Sequence, residues 1–120
     1  MSKIPPFYIK QYDAQPYYPC DVIDSDGDPV DLAGASIVCT MKNTRTNSLQ
    51  INRQSVGINV TSEAGGQFEY KWQTGSGDTD VIGKYHIEFE ITPASGGKFT
   101  LPVDPRDVAE VYVVKSLDTS

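Results

Sequence analysis

The densest group of side chains that could do chemistry is the acidic stretch 24–28, in which three aspartates surround Gly27. Closely spaced carboxylates bind Ca²⁺ in an EF-hand when a bidentate glutamate follows at the right distance. Here Gly27 comes too early for that pattern, and no glutamate follows at the required spacing. Asp and Gly are also favoured in tight turns, so the stretch predicts a structural turn and no metal site. The acidic stretch 78–80 is interpreted in the same way.

Catalytic groups are not arranged in any recognisable motif. His86 is the only histidine, and no Gly-x-Ser-x-Gly elbow or reactive-cysteine signature accompanies it. The glycine-rich stretch 74–77 lacks the following helix that a phosphate loop needs. A glycosidase pair would need a carboxyl group in an apolar setting that raises its pKa, and the sequence indicates no such setting. We therefore expect no enzymatic activity and no cofactor.

The chain contains two cysteines, Cys20 and Cys39. If the segments around them pair antiparallel with Val22 opposite Ile37, the two thiols face each other and a cross-strand disulfide is feasible. The alternative is two small buried thiols in a reducing compartment, which the general burial of cysteine favours. A zinc site is not expected, because two Cys and one His lack the paired ligand spacing of zinc motifs.

Aromatic side chains are crowded near the N-terminus, and strict alternation along a strand cannot bury all of them. Tyrosine is enriched at protein interfaces and where sugars stack, so this set is a candidate interface. The alternative is a first strand that is buried on both faces. The set consists of Phe7, Tyr8, Tyr12, Tyr17 and Tyr18.

Apolar and polar residues alternate repeatedly along the chain, and helical periodicity is almost absent. In the clearest run, 84–92, Tyr85, Ile87, Phe89 and Ile91 occupy one face, which predicts a strand with one buried side. Similar patterns predict further strands at 7–11, 17–23, 36–42, 50–56, 58–61, 67–72, 98–101 and 108–114.

Clusters of Gly, Pro, Asp and Ser separate these runs at short intervals and predict turns. Seven to nine short strands in 120 residues are typical of one domain with an immunoglobulin-like antiparallel β-sandwich fold. We expect this domain to span residues 1–120, with extended or flexible ends at 1–6 and 115–120. One sheet would place the aromatic side of 67–72, ending at Trp72, against the apolar side of 84–92.

The net charge is −6, and the basic residues are scattered singly. Nucleic-acid binding needs clustered Lys and Arg, so no nucleic-acid partner is expected. No apolar run approaches the length of a membrane helix, and residues 1–6 have no apolar signal core. We therefore expect no membrane partner and no secretion through a signal of its own.

Five segments, in this order, resemble the N-terminal immunoglobulin-like domain of phage baseplate upper proteins. The segments are 22–35 (VIDSDGDPVDLAGA), 37–42 (IVCTMK), 68–72 (FEYKW), 78–80 (DTD) and 83–91 (GKYHIEFEI). The resemblance covers roughly residues 7–114. The turn motif Asp-Gly-x-Pro-Val-x-Leu, at residues 26–32 of the first segment, also occurs in bacterial immunoglobulin-like repeats. The order of the other four segments narrows the resemblance to the phage group.

The resemblance implies a non-catalytic virion structural protein that is assembled in the host cytoplasm. It would occupy the tail, baseplate or fibre attachment region and contact other virion proteins, in many copies or as a symmetric homo-oligomer. The baseplate proteins continue into further domains, whereas this sequence has 120 residues and one expected domain. Capsid decoration or a head–tail junction is therefore an alternative position. A second alternative is a carbohydrate-binding or adhesion module that uses surface tyrosines and an exposed Trp72.

Overall fold

The computed structural model describes residues 4–103, 106–115 and 117. Within them the regular structure is strand, apart from one 3₁₀ turn at Thr74–Ser76. Each run predicted from alternation is a strand, with ends that differ by a few residues. The strands are β1 (Phe7–Lys10), β2 (Tyr18–Asp21), β3 (Ser36–Asn43), β4 (Leu49–Gln54), β5 (Ile58–Ser62), β6 (Gln67–Tyr70), β7 (Gly83–Thr92), β8 (Phe99–Leu101) and β9 (Ala109–Val114).

The strands form two sheets, which confirms the predicted immunoglobulin-like β-sandwich. The larger sheet has the order β1-β9-β7-β3-β4, and β8 also pairs with β7. The smaller sheet has the order β2-β6-β5. The named strand pairs are antiparallel except β1 and β9, which run parallel with Phe7 beside Val111. Strands β8 and β9 lie along the same edge of β7, one after the other.

The alternation in β7 decides which of its side chains enter the core. Tyr85, Ile87, Phe89 and Ile91 are each at most 2 % exposed, while the residues between them are polar and face water. Burying side chains of this size stabilises a fold by about 2 kcal/mol each. The inward face of β7 is therefore a major part of the core.

Aromatic contacts join the two sheets across this core. The ring of Phe89 lies 5.2 Å from that of Phe68 and 5.7 Å from that of Tyr18. The prediction that the aromatic side of β6 lies beside β7 within one sheet is wrong, because β6 belongs to the smaller sheet and meets β7 face to face.

The corner before β7 is held by a tyrosine. The Tyr85 hydroxyl donates a 2.6 Å hydrogen bond to the Val81 carbonyl, four residues upstream. A tyrosine bonded in this way near the start of the corresponding strand is a feature of immunoglobulin-like domains. The bond fixes the direction in which the chain enters β7.

The predicted pairing of the two cysteine segments does not occur. Cys20 lies on β2 in the smaller sheet and Cys39 on β3 in the larger one, so the two strands are not neighbours. Both cysteines are free thiols, with Cys39 buried and Cys20 partly buried. The disulfide alternative is therefore wrong.

The predicted loose ends lie partly outside the described residues, which leave out 1–3, 116 and 118–120. Within the described part, Ile4 packs against the core and leads into β1. The N-terminal end is thus attached to the sandwich from Ile4 onward.

Candidate docking surface

The structure divides the predicted aromatic interface between core and surface. Tyr18 is buried, and Phe7 and Tyr17 are partly buried. Tyr8 and Tyr12 are 58 % and 55 % exposed. Of the five residues, only these last two present most of a ring to solvent.

Phe7 and Tyr18 contribute to an aromatic cluster around Trp72. Their rings lie 5.9 and 6.4 Å from the Trp72 ring. Trp72 is 3 % exposed, and its indole N–H donates to the Pro16 carbonyl at 2.9 Å. An exposed Trp72 that could stack on a sugar is therefore absent, and the aromatic platform on which the carbohydrate alternative relied is reduced to tyrosines.

Tyr8 stacks on a tyrosine that the sequence did not single out. The rings of Tyr8 and Tyr112 are 5.0 Å apart and inclined by 14°. These residues are register partners on the parallel strands β1 and β9, so their side chains leave the sheet on the same outer face. The alternation in the run 108–114 could have indicated that Tyr112 lies on an outward face. That β9 pairs with β1 is visible only in the tertiary structure.

A charged pair supports the stacked tyrosines. The Lys84 ammonium lies 5.9 Å from the centre of the Tyr112 ring and 2.9 Å from a carboxylate oxygen of Glu110. The neighbouring Glu110 carboxylate raises the pKa of Lys84, which keeps the ammonium charged. We call Tyr8, Tyr112, Lys84 and Glu110 the tyrosine surface.

A second exposed apolar group lies at the end of the sandwich where β1 ends. Tyr12 has a positive φ of 71°, and its N–H donates to the Thr79 carbonyl at 3.1 Å. This bond attaches Tyr12 to the segment that carries Val81 and Ile82, which are 50 % and 46 % exposed. We call Tyr12, Val81 and Ile82 the end patch.

Side-chain bonds make this end rigid. The Gln11 amide donates to the Asp80 carbonyl at 2.8 Å, and the Thr79 hydroxyl donates to the Asp13 carbonyl at 3.1 Å. The end patch is therefore fixed to β1 on one side and to the start of β7 on the other. A preorganised apolar surface of this kind loses little entropy on binding.

The edge of β2 is protected against strand addition. The Val22 N–H donates to the Gly66 carbonyl at 2.7 Å, on the side of β6. Because backbone groups alternate sides along a strand, the backbone of Pro19 points to the outer edge, where proline offers no N–H. Asp21 adds a charge at the same edge. Proline and charge are both common means of preventing edge-to-edge pairing.

An apolar groove of about 210 Å³ lies beside this edge and includes Cys20. Burial raises the pKa of the Cys20 thiol to about 12, so it is a neutral thiol near pH 7 and a poor nucleophile. The groove is lined by Ile4, Tyr18, Pro19, Cys20, Asp21, Ile87, Phe89, Leu101, Pro102 and Ala109.

The acidic stretch 24–28 forms the predicted turn. Oδ1 of Asp24 accepts hydrogen bonds from the N–H groups of Asp26 and Asp28, at 2.9 and 3.0 Å. Within the described residues, no group of three or more His, Cys, Asp and Glu side chains is placed to hold a metal ion.

His86 lies partly exposed on the outer face of β7, as alternation predicts. A shallow depression there is lined by Thr40, Lys42, Leu49, His86 and Glu88.

The stretch 78–80 forms the predicted turn, but the expectation that no carboxyl group lies in an apolar setting is wrong for Asp78. Asp78 is 2 % exposed and accepts hydrogen bonds at Oδ2 from the Tyr70 hydroxyl and from the Gln73 N–H. Burial raises the pKa of Asp78, and the two hydrogen bonds oppose that shift. A carboxyl group in an apolar setting does therefore exist, although its partners tie it into the fold.

Comparison of the chain with protein-family models and with curated proteins finds no match. In the part of the chain that the structure describes, no helix has the length and apolar character needed to cross a membrane.

Proposed function

We propose that this chain is a non-catalytic docking module of a bacteriophage particle, placed in the tail, baseplate or fibre attachment region. The phage setting comes from the resemblance of the five sequence segments. The docking role is carried by one observation, the stack of the exposed Tyr8 on the partly buried Tyr112 on the outer face of the larger sheet. Capsid decoration or a head–tail junction is the alternative position within the same particle.

The tyrosine surface has the physical properties of a contact area. Two stacked rings provide a large apolar area with few rotatable bonds, so little side-chain entropy is lost when a partner covers them. The ion pair of Lys84 with Glu110 lies at the rim, where it can align a partner without a large desolvation cost.

The presence or absence of the chain in purified phage particles tests the proposed location. Antibodies raised against the purified chain are used to probe gradient-purified particles of the phage that encodes it. We expect the chain to sediment with intact particles and to resist removal by high-salt washing. A chain that stays in the soluble fraction of the lysate, with none in the particles, contradicts the proposal.

Substitutions test the tyrosine surface. Tyr8→Ser together with Tyr112→Ser removes both rings from the outer face without entering the core. Supplied in trans to a phage that lacks the gene, this double variant should enter particles much less than the wild type does. Tyr17→Ser is the matched control, since it removes a tyrosine elsewhere. Equal incorporation of all three proteins means that the tyrosine surface is not the contact.

A further inference from the structure

Charge is segregated between the two ends of the sandwich. One end consists of the loop 22–35, the turn 63–66 and the loop 93–98. The Leu32 N–H donates to the Glu63 carbonyl at 2.9 Å, which joins the first two of these segments. We call it the acidic end; its exposed carboxylates belong to Asp21, Asp24, Asp26, Asp28, Asp31 and Glu63. Lys98 also lies at this end and pairs with Glu90, a carboxylate that binds Arg53 as well.

The opposite end carries most of the cations. Its described basic residues are Lys10, Lys42, Arg45, Lys71, Lys84 and Lys115, against the exposed carboxylates Asp13 and Asp80. We call it the basic end. Lys84 is already paired with Glu110, whereas Lys10, Arg45 and Lys115 are exposed.

Three of these cations, Lys10, Arg45 and Lys115, lie at the same end as the end patch. Lys10 precedes Tyr12 by two residues, and the Gln11 N–H donates to the Val114 carbonyl at 2.7 Å, next to Lys115. The Thr44 N–H donates to the Lys84 carbonyl at 3.0 Å, which brings Arg45 to the same side. The basic end therefore combines the end patch, the two adjoining carboxylates of Asp13 and Asp80, and a larger number of exposed cations.

The two ends act as separate charged surfaces. Strand β7 runs between them with 10 residues, which at a rise of about 3.4 Å per residue is about 30 Å. The Debye length is about 8 Å at physiological salt, so each end is screened from the other. A partner near one end experiences mainly the charge of that end.

We propose that the basic end of one copy binds the acidic end of a second copy, head to tail. Charge complementarity selects this occupant. The basic end has an excess of exposed cations and therefore fits a surface of clustered carboxylates, which the chain itself presents at its acidic end. The acidic end also carries Ile23, which is 59 % exposed and can contact the end patch. The inference rests on the proposed docking function and adds a second copy of the chain as a partner, with two contact surfaces distinct from the tyrosine surface.

Such a contact is heterologous, because it joins two different surfaces. Repetition of a heterologous contact produces a closed ring or an open filament, according to the rotation between successive copies. A two-fold dimer, in which the same surface meets itself, would place like charges together at either end.

Sedimentation velocity over a concentration series tests the association. At about 0.01 M salt, where the Debye length is about 30 Å, we expect species larger than a dimer that grow with concentration. At about 1 M salt, where it is about 3 Å, we expect the association constant to fall tenfold or more. A monomer at every concentration in low salt overturns the inference. It leaves the proposed function intact if the chain is found in particles.

Two charge-reversed variants identify the surfaces. The basic-end variant carries Lys10→Glu and Arg45→Glu, and the acidic-end variant carries Asp26→Lys and Asp28→Lys. The turn at 24–28 uses only the main-chain groups of Asp26 and Asp28, so it should persist. Each variant alone should be monomeric, because one of its two ends is blocked.

An equimolar mixture of the two variants separates head-to-tail binding from the alternatives. The intact acidic end of one variant can still bind the intact basic end of the other, so a heterodimer that does not grow further is expected. Glu88→Lys, on the exposed outer face of β7 about midway between the two ends, is the control for a charge change away from both surfaces and should associate like the wild type. A mixture that stays monomeric, or variants that associate as the wild type does, overturns the proposal.

Discussion

The hydroxyl of Tyr70 donates a 2.6 Å hydrogen bond to Oδ2 of Asp78, a carboxylate that is 2 % exposed. The N–H of Gln73 donates to the same oxygen at 2.8 Å. A buried charge therefore has two donors, and through them the chain that leaves β6 is bonded to the corner that precedes β7. Because an unpaired buried carboxylate is costly, this small network should make a measurable contribution to stability.

Removing the phenolic donor should destabilise the fold. We expect Tyr70→Phe to lower the free energy of unfolding by about 1.5–3 kcal/mol at neutral pH, the usual value of a hydrogen bond to a charged group. Urea denaturation followed by Trp72 fluorescence measures the loss. Tyr8→Phe, which removes an exposed hydroxyl, should leave the midpoint unchanged, and equal midpoints for all three proteins would contradict the prediction.

The buried carboxyl should make stability depend on pH. Burial raises the pKa of Asp78 in the folded state, so the folded protein binds this proton more tightly than the unfolded chain does. Its contribution is therefore fully present below the ordinary Asp pKa and is lost as the pH rises through the raised value. Asp78→Asn should flatten this part of the stability curve, measured by urea unfolding across pH. Parallel curves for the wild type and Asp78→Asn would refute the assignment.

The hydrogen bond of Tyr85 at the corner before β7 should contribute about as much to the free energy of unfolding as one neutral hydrogen bond does. Tyr85→Phe removes the donor to the Val81 carbonyl and should cost about 1 kcal/mol. Thermal unfolding by circular dichroism detects this as a lower Tm. The same exchange at Tyr17 is the control, and a Tm for Tyr85→Phe that equals the wild-type value would argue against the role of the corner.

The two thiols should be unreactive in the folded protein. Burial raises the pKa of Cys20 to about 12 and that of Cys39 well above its ordinary value, so neither forms thiolate near neutral pH. Ellman's reagent should react slowly with the native protein and rapidly with both thiols in denaturant. An added exposed thiol, Thr61→Cys, should react at once; fast reaction of the unmodified protein would show that the core is open.

Trp72 should be inaccessible to a soluble quencher. Its indole is 3 % exposed and lies 5.9 Å from the ring of Phe7. Acrylamide should quench its fluorescence weakly in the wild type and more strongly in Phe7→Ala, which removes part of its cover. Tyr8→Ala, on the other face of β1, should behave as the wild type does. Strong quenching of the wild type would mean that Trp72 is outside the core.

Much of the fold follows from local patterns. The period of two in β7 determines that Tyr85, Ile87, Phe89 and Ile91 share a face, because successive side chains of a strand point to opposite sides. The Gly and Pro residues between the alternating runs determine where the strands end. The turn at 24–28 is also local, because Asp24 bonds main-chain groups only two and four residues away.

Only the tertiary structure decided which strands are neighbours and which sheet each one joins. Alternation shows that a strand has an inner face but does not identify what covers it. The assignment of β2 and β3 to different sheets excluded the pairing of Cys20 with Cys39 across neighbouring strands, and the parallel pairing of β1 with β9 brought Tyr8 onto Tyr112. The burial of Asp78 likewise depends on Tyr70 on β6. Each of these outcomes rests on contacts between distant parts of the chain, which residue type and spacing do not encode one segment at a time.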